Sequence, residues 1–122
     1  MPDDAATPDD LFAGFPESLA ICRAVQETVS TIGAATMRVT KSQVAFRRRR
    51  GFAYVWRPGQ QVNSDVPAVL SIALPHELTS ERFKEVVHPS ANMWMHHIEL
   101  HDATEVDDHV VAWLAEAYAS AR

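Results

Sequence analysis

The chain has 122 residues, a net charge of −5 and a single cysteine, Cys22. That length is one domain's worth and buries enough surface for a core without covalent staples, and a lone cysteine excludes an intrachain disulfide. Hydrophobic residues make up 47% of the chain, but no stretch approaches the roughly 18 apolar residues of a membrane span, and the acidic start MPDDAATPDD lacks the apolar run of a signal peptide; a cytoplasmic protein is expected.

Residues 1–7 read as a disordered acidic tail and residues 8–122 as a single α+β domain. Thr7-Pro8-Asp9-Asp10 has the marks of a helix start: an N-cap hydroxyl, proline at the first position and acids facing the dipole. Gly14 and Pro16 interrupt it. A longer helix follows from Pro16 to about Ile32, where Leu19, Cys22, Val25, Val29 and Ile32 recur at three and four, and Gly33 stops it. From residue 36 the period changes to two. Val39, Val44 to Arg49 and Phe52 to Arg57 read as strands, closed by Pro58-Gly59 and a polar loop to Pro67. The run Ala68 to Leu74 (AVLSIAL) suits a central strand. Leu78 to His88 is ambiguous between a helical turn and extended chain. Met93 to His101 (MWMHHIELH) is a strand, and Thr104 with Asp107 resembles a capping box that opens a last helix to about Ser120. Short loops favour antiparallel pairing. The expected fold is a curled antiparallel sheet of about four or five strands, with the N-terminal and C-terminal helices packed on one face.

Charge is unevenly placed. The segment from Thr36 to Arg57 carries Arg38, Lys41, Arg47, Arg48, Arg49, Arg50 and Arg57 and no acid, whereas Asp3, Asp4, Asp9, Asp10 and the Glu99–Asp108 region are acidic. Such polarity suits an anionic ligand, or basic and acidic surfaces that meet in an oligomer. A hairpin turn at Arg50-Gly51, with glycine at positive φ, would pair Arg49 with Phe52, Arg47 with Tyr54 and Ala45 with Trp56. Those residues share one face; Val44, Phe46, Ala53 and Val55, with Arg48 near the tip, share the other. Arginines beside aromatic rings form a platform for a planar or phosphorylated ligand. The competing view is a solvated, edge-protecting tip whose rings pack elsewhere.

Apart from His76, the histidines lie between His88 and His109. Alternation puts His97, Glu99 and His101 on one strand face and Trp94, His96, Ile98 and Leu100 on the other. Neighbours two apart sit about 6.6 Å from each other and can share a metal, but four apart, at about 13 Å, they cannot. The strand thus supplies pairs rather than the three ligands of a catalytic zinc; a third would have to come from elsewhere, such as His88 or Asp102. No metal or cofactor is assigned. His96 reads as a core histidine bonded to backbone, and Cys22 as a buried thiol. No nucleophile motif or glycine-rich phosphate loop is present.

Thr40-Lys41-Ser42-Gln43-Val44-Ala45-Phe46, Gly51-Phe52-Ala53, Met95-His96-His97-Ile98-Glu99-Leu100 and the closing Asp107-Asp108…Trp113-Leu114-Ala115-Glu116-Ala117-Tyr118 together resemble a bacterial family known as domain of unknown function 5655. The resemblance runs from about residue 11 to 120 and marks Lys41, Phe46 and His96 as family-typical positions. Some members carry a zinc-ribbon-like segment ahead of the domain, which this chain, lacking CxxC, does not; others follow nuclease-like or predicted-transport regions. The resemblance implies no reaction and tilts toward a nucleotide-related or nucleic-acid role.

Three readings follow. The first is a non-enzymatic binding module that holds an anionic or nucleotide-like small molecule or nucleic acid with Lys41, Arg47, Arg49, Tyr54, Trp56, His96 and His97. The second is a homodimerisation module that buries the same aromatic face. The third is a small enzyme or metal protein that uses the histidine strand.

Overall fold

The computed structural model describes residues 7–60 and 62–122; the acidic tail expected at the N-terminus lies outside the described residues up to Thr7. Two helices open the chain, α1 (Pro8–Leu11) and α2 (Pro16–Ile32), and α3 (Asp108–Ser120) closes it. Between them run β1 (Thr36–Val39), β2 (Val44–Arg47), β3 (Gly51–Trp56), β4 (Ala68–Leu74), β5 (Phe83–Ser90) and β6 (Met93–Leu100). They form one curled six-stranded antiparallel sheet in the order β1-β2-β3-β4-β6-β5. The class is the expected α+β, with one strand more: the ambiguous stretch before Pro89 is extended and pairs with β6 as an edge.

Alternation sorts the sheet into two faces. Val55 of β3, Leu70 of β4 and Ile98 of β6 stand in one row, and Ala53, Ile72 and His96 in the next. All six are wholly buried beneath α2 and α3. Ile21, Cys22 and Val25 from α2 and Val110 and Leu114 from α3 close this core. Burial pushes the Cys22 thiol up to about 12, so it is an apolar core group rather than a nucleophile.

The hairpin departs from its expected register. Ala45 pairs with Tyr54 and Phe46 with Ala53, and the next pair is Arg47 with Gly51. Phe52 is therefore the extra residue of a bulge. It is 1% exposed and meets the Tyr118 ring of α3 edge-on at 5.6 Å, instead of joining Tyr54 and Trp56. Gly51 does not adopt positive φ; among the described residues only Gly14 does. Its lack of a side chain serves a close approach, since a Cβ there would lie 2.0 Å from the Tyr54 hydroxyl. Gly33, which ends α2 in extended backbone (φ 172°), makes the same room for Tyr118, whose hydroxyl would sit 2.5 Å from a Cβ.

The turn is the arginine run itself, Arg48 to Arg50, folded against the end of α3. Arg48 lies 4.3 Å over the Tyr118 ring and donates to the Tyr118 carbonyl at 3.1 Å. The Arg49 N–H donates to the Ala121 carbonyl and the Arg50 guanidinium to that of Ser120. The Tyr118 carbonyl also accepts from the Ala121 N–H at the C-cap, while the Ser120 and Ala121 carbonyls lie past the last helical donors, and the last turn of α3 carries no basic residue of its own. Cations placed there also favour the negative end of the dipole. At its other end α3 is capped by Asp107, which accepts from the Val110 N–H, not by Thr104. The Arg82 guanidinium donates to both Asp107 carboxylate oxygens at 3.0 and 2.9 Å. Desolvation opposes the Asp107 charge, but the Val110 and Arg82 hydrogen bonds prevail and hold its carboxyl below the usual range.

His96 is 0% exposed. Its Nε2 accepts from the Leu78 N–H at 3.0 Å, so Nδ1 carries the proton and donates to the Ile72 carbonyl at 3.3 Å. The ring pins the loop after β4 to the sheet and packs 4.8 Å from Phe83. His96→Leu keeps the bulk but leaves the Leu78 N–H without its acceptor. It should lower unfolding free energy by about 1–3 kcal/mol, read as a lower urea midpoint at unchanged slope.

Candidate functional site

Among the described residues no α-helix covers the opposite face of the sheet. Across it run Tyr54 of β3, Ser71 of β4, His97 of β6 and Glu85 of β5, each register partner of the next. The adjoining row holds Trp56, Val69 and Glu99. A cleft of about 460 Å³ opens over this second row, a volume suited to a small ligand. Trp56 and Val69 line its floor, Pro58, Val62, Asn63 and Ser64 form one wall, and Lys84, Glu85, His97 and Glu99 form the other. The loop wall is anchored from below, where the Ser18 hydroxyl of α2 donates to the Pro67 carbonyl at 2.7 Å.

A hydrogen-bonded chain crosses the floor. The Trp56 indole N–H donates to Ser71 Oγ at 2.9 Å, and Ser71 Oγ lies 2.7 Å from His97 Nδ1. Indole nitrogen only donates. The Ser71 hydroxyl accepts from Trp56, and His97 Nδ1 is its other hydrogen-bond partner among the described residues, so Nδ1 is where its own proton goes. That makes Nδ1 the acceptor and leaves Nε2 carrying the hydrogen of the neutral ring. Ser71 is 3% exposed, so water does not substitute for either partner. The indole and imidazole planes meet at 89°, 6.2 Å apart, forming an aromatic corner.

Electrostatics keep His97 neutral. Burial lowers its pKa below the ordinary imidazole value; Glu85 opposes the shift and His96 adds to it. Lys84 pairs with Glu99 at 3.0 Å. The cleft thus presents two carboxylates, one ammonium already engaged, and a neutral imidazole.

The seven residues singled out from the sequence separate in space. Trp56 and His97 meet in the cleft. Tyr54 shares their face but leans its hydroxyl toward Gly51, away from them. Lys41 lies at the Trp56 end of the hairpin, its carbonyl accepting from the Gln60 side chain at 3.1 Å. Arg47 and Arg49 lie at the far end of β3 from Trp56, about 16 Å away along the strand. The arginine–aromatic pairs expected across the hairpin do not form; guanidinium stacking occurs instead between Arg48 and Tyr118 and between Arg57 and Phe15, the latter at 3.7 Å. His96 faces the core, behind the sheet. The other histidines are dispersed: His88 stacks on Trp94 at 3.7 Å, and His101 pairs with Glu105 at 3.3 Å. Among the described residues no group of three His, Cys, Asp or Glu side chains is placed to hold a metal ion.

Sequence reading passed over Ser71, Lys84 and Glu85. Ser71 left a signal: it is the one hydroxyl inside the apolar run AVLSIAL, and a buried hydroxyl needs partners. Lys84 and Glu85 left none, because their strand was ambiguous.

Because the native His97 pKa is depressed, the unfolded state binds more protons between that value and about 6.5. The stability due to neutral His97 is present above about pH 6.5 and is lost as pH falls through the native pKa. In paired denaturation series, wild type should lose more stability than His97→Gln on acidification through this window.

Among the described residues no helix is long and apolar enough to cross a membrane. Comparison with curated proteins and with solved structures returned no match. Comparison with protein families matches residues 9–121 to the Domain of unknown function (DUF5655). The match spans nearly the whole chain, sheet, cleft and both covering helices included, and the protein belongs to that family.

Proposed function

We propose that this protein is a small cytoplasmic binding module, without catalytic activity, whose open-face cleft holds a planar, polar, base-like ligand. The observation that carries this reading is the Trp56–Ser71–His97 chain at the floor of the 460 Å³ cleft. It holds an indole and an imidazole in fixed orientation, and a flat heterocycle stacks on such rings at about 1–3 kcal/mol per base. The apolar lining of Pro58, Val62 and Val69 suits the same shape.

The lining narrows the ligand class inferred from sequence. Arg47, Arg48, Arg49 and Arg50 lie away from the cleft, three of them turned to α3. The charged groups at hand are Glu85, Glu99 and an already paired Lys84. This favours a heterocycle over a polyphosphate or a nucleic-acid backbone.

Titration of ¹⁵N-labelled protein with free nucleosides tests the reading. Shifts should centre on the Trp56 indole N–H and on residues of β6 around His97, and Trp56→Ala should weaken binding about tenfold or more. Added salt should change affinity little. Nucleoside monophosphates that bind more tightly than the nucleosides, with an advantage lost steeply in salt, would instead mark contact with phosphates. The reading fails if no nucleoside perturbs the cleft, or if light scattering shows a dimer that Trp56→Glu dissociates, since a second copy would then occupy the same face.

A further inference from the structure

Resting on the cleft reading above, the geometry points to a more specific ligand: we infer that the cleft selects a heterocycle whose edge sets a ring carbonyl beside a ring N–H and an exocyclic amine. This is the 2-amino-6-oxo edge of guanine and the equivalent 2-amino-4-oxo edge of pterins.

The argument is one of donors and acceptors. His97 lines the cleft while its Nδ1 is committed to Ser71. The ring nitrogen left for a ligand is Nε2, a donor because Nδ1 is the acceptor for the Ser71 proton. Beside it stand two carboxylates, which only accept. Glu85 is the direct cross-strand partner of His97, about 5 Å away between Cβ atoms. Glu99 lies two residues along β6 on the same face, about 6.6 Å away, and Lys84 holds one of its oxygens at 3.0 Å. A carboxylate has lone pairs enough for further donors.

A donor with carboxylate acceptors beside it has a complement: one acceptor followed by two donors, the donor pair meeting a carboxylate. Guanine and pterin present it as C=O, N–H and NH₂ in sequence along one edge. Adenine lacks the carbonyl, and uracil lacks the exocyclic amine. Hypoxanthine has the carbonyl and the ring N–H but not the amine. A simple ammonium would satisfy the carboxylates but meet the His97 N–H head-on. Stacking against Trp56 supplies sequence-tolerant affinity, and the polar edge supplies the choice, because a buried donor or acceptor left unpaired is costly.

Calorimetric titration of the full chain with guanosine, inosine, adenosine, uridine and pterin tests this. Guanosine should bind about tenfold or more tighter than adenosine or uridine, with inosine between. Glu85→Gln/Glu99→Gln, confirmed folded by circular dichroism, should bring guanosine down to the adenosine level, whereas Trp56→Ala should weaken all of them alike. Pterin binding with guanosine rejected would support the edge and assign its source to pterins; the converse would assign it to guanine. Nucleosides binding with equal affinity, or a guanosine preference that survives the double substitution, would overturn the edge inference and leave the cleft reading standing. Absence of binding by every heterocycle would overturn both.

Discussion

A hydroxyl in the middle of an apolar strand must be satisfied where it stands. Ser71 occupies the centre of β4, with β3 on one side and β6 on the other, and is 3% exposed. Water is excluded, so its two hydrogen bonds come from the neighbouring strands: Trp56 of β3 gives one and His97 of β6 receives the other. A buried hydroxyl left unpaired costs about 1–3 kcal/mol. The requirement therefore ties three strands in one register and turns two rings toward the same cleft. A one-residue slip of either neighbour would send its ring to the opposite face. The polar centre of the sheet and the candidate site are the same atoms.

The two adjacent histidines show how strand alternation assigns different work to like residues. His96, one residue before His97, points into the helix-covered core and accepts from Leu78 while donating to Ile72. Both its nitrogens are committed to backbone, and it holds a loop. His97 has one nitrogen committed to a side chain and turns the other to the cleft. The arginine run divides in a similar way. What reads in one dimension as a dense basic patch becomes in three a cap for the carbonyl end of α3, through Arg48, the backbone of Arg49, and Arg50. That helix contributes Val110, Leu114 and Ala117 to the core. Its C-terminal carbonyls are satisfied by a hairpin distant in sequence, which leaves the arginines little part in ligand charge.

Periodicity made much of this legible. The α2 stripe through Cys22, Val25 and Val29 is core, and the β2 and β3 core face of Val44, Phe46, Ala53 and Val55 was read correctly despite the wrong turn. The turn departs from expectation because glycine in a hairpin signals positive φ, whereas Gly51 serves to admit the Tyr54 phenol. Phe52 was misplaced because a bulge cannot be seen in alternation. The cleft was half legible: Trp56 and His97 stood out as residue types, but their link runs through Ser71, whose importance depends on which strands flank β4. Strand order is a non-local property, and the crossover that places β6 rather than β5 beside β4 has no local signature. Glu85 reaches the site only through that crossover.

The central claim is that Ser71 fixes His97 as a neutral ring with its hydrogen on Nε2, facing the cleft. Long-range ¹H–¹⁵N correlation spectra of the imidazoles, recorded near pH 7.5, read this directly. The account predicts a protonated Nε2 and an unprotonated Nδ1 at His97, and a mixture of the two tautomers in Ser71→Ala. A hydrogen on His97 Nδ1 in the wild-type protein, or a tautomer that Ser71→Ala leaves unchanged, would contradict it.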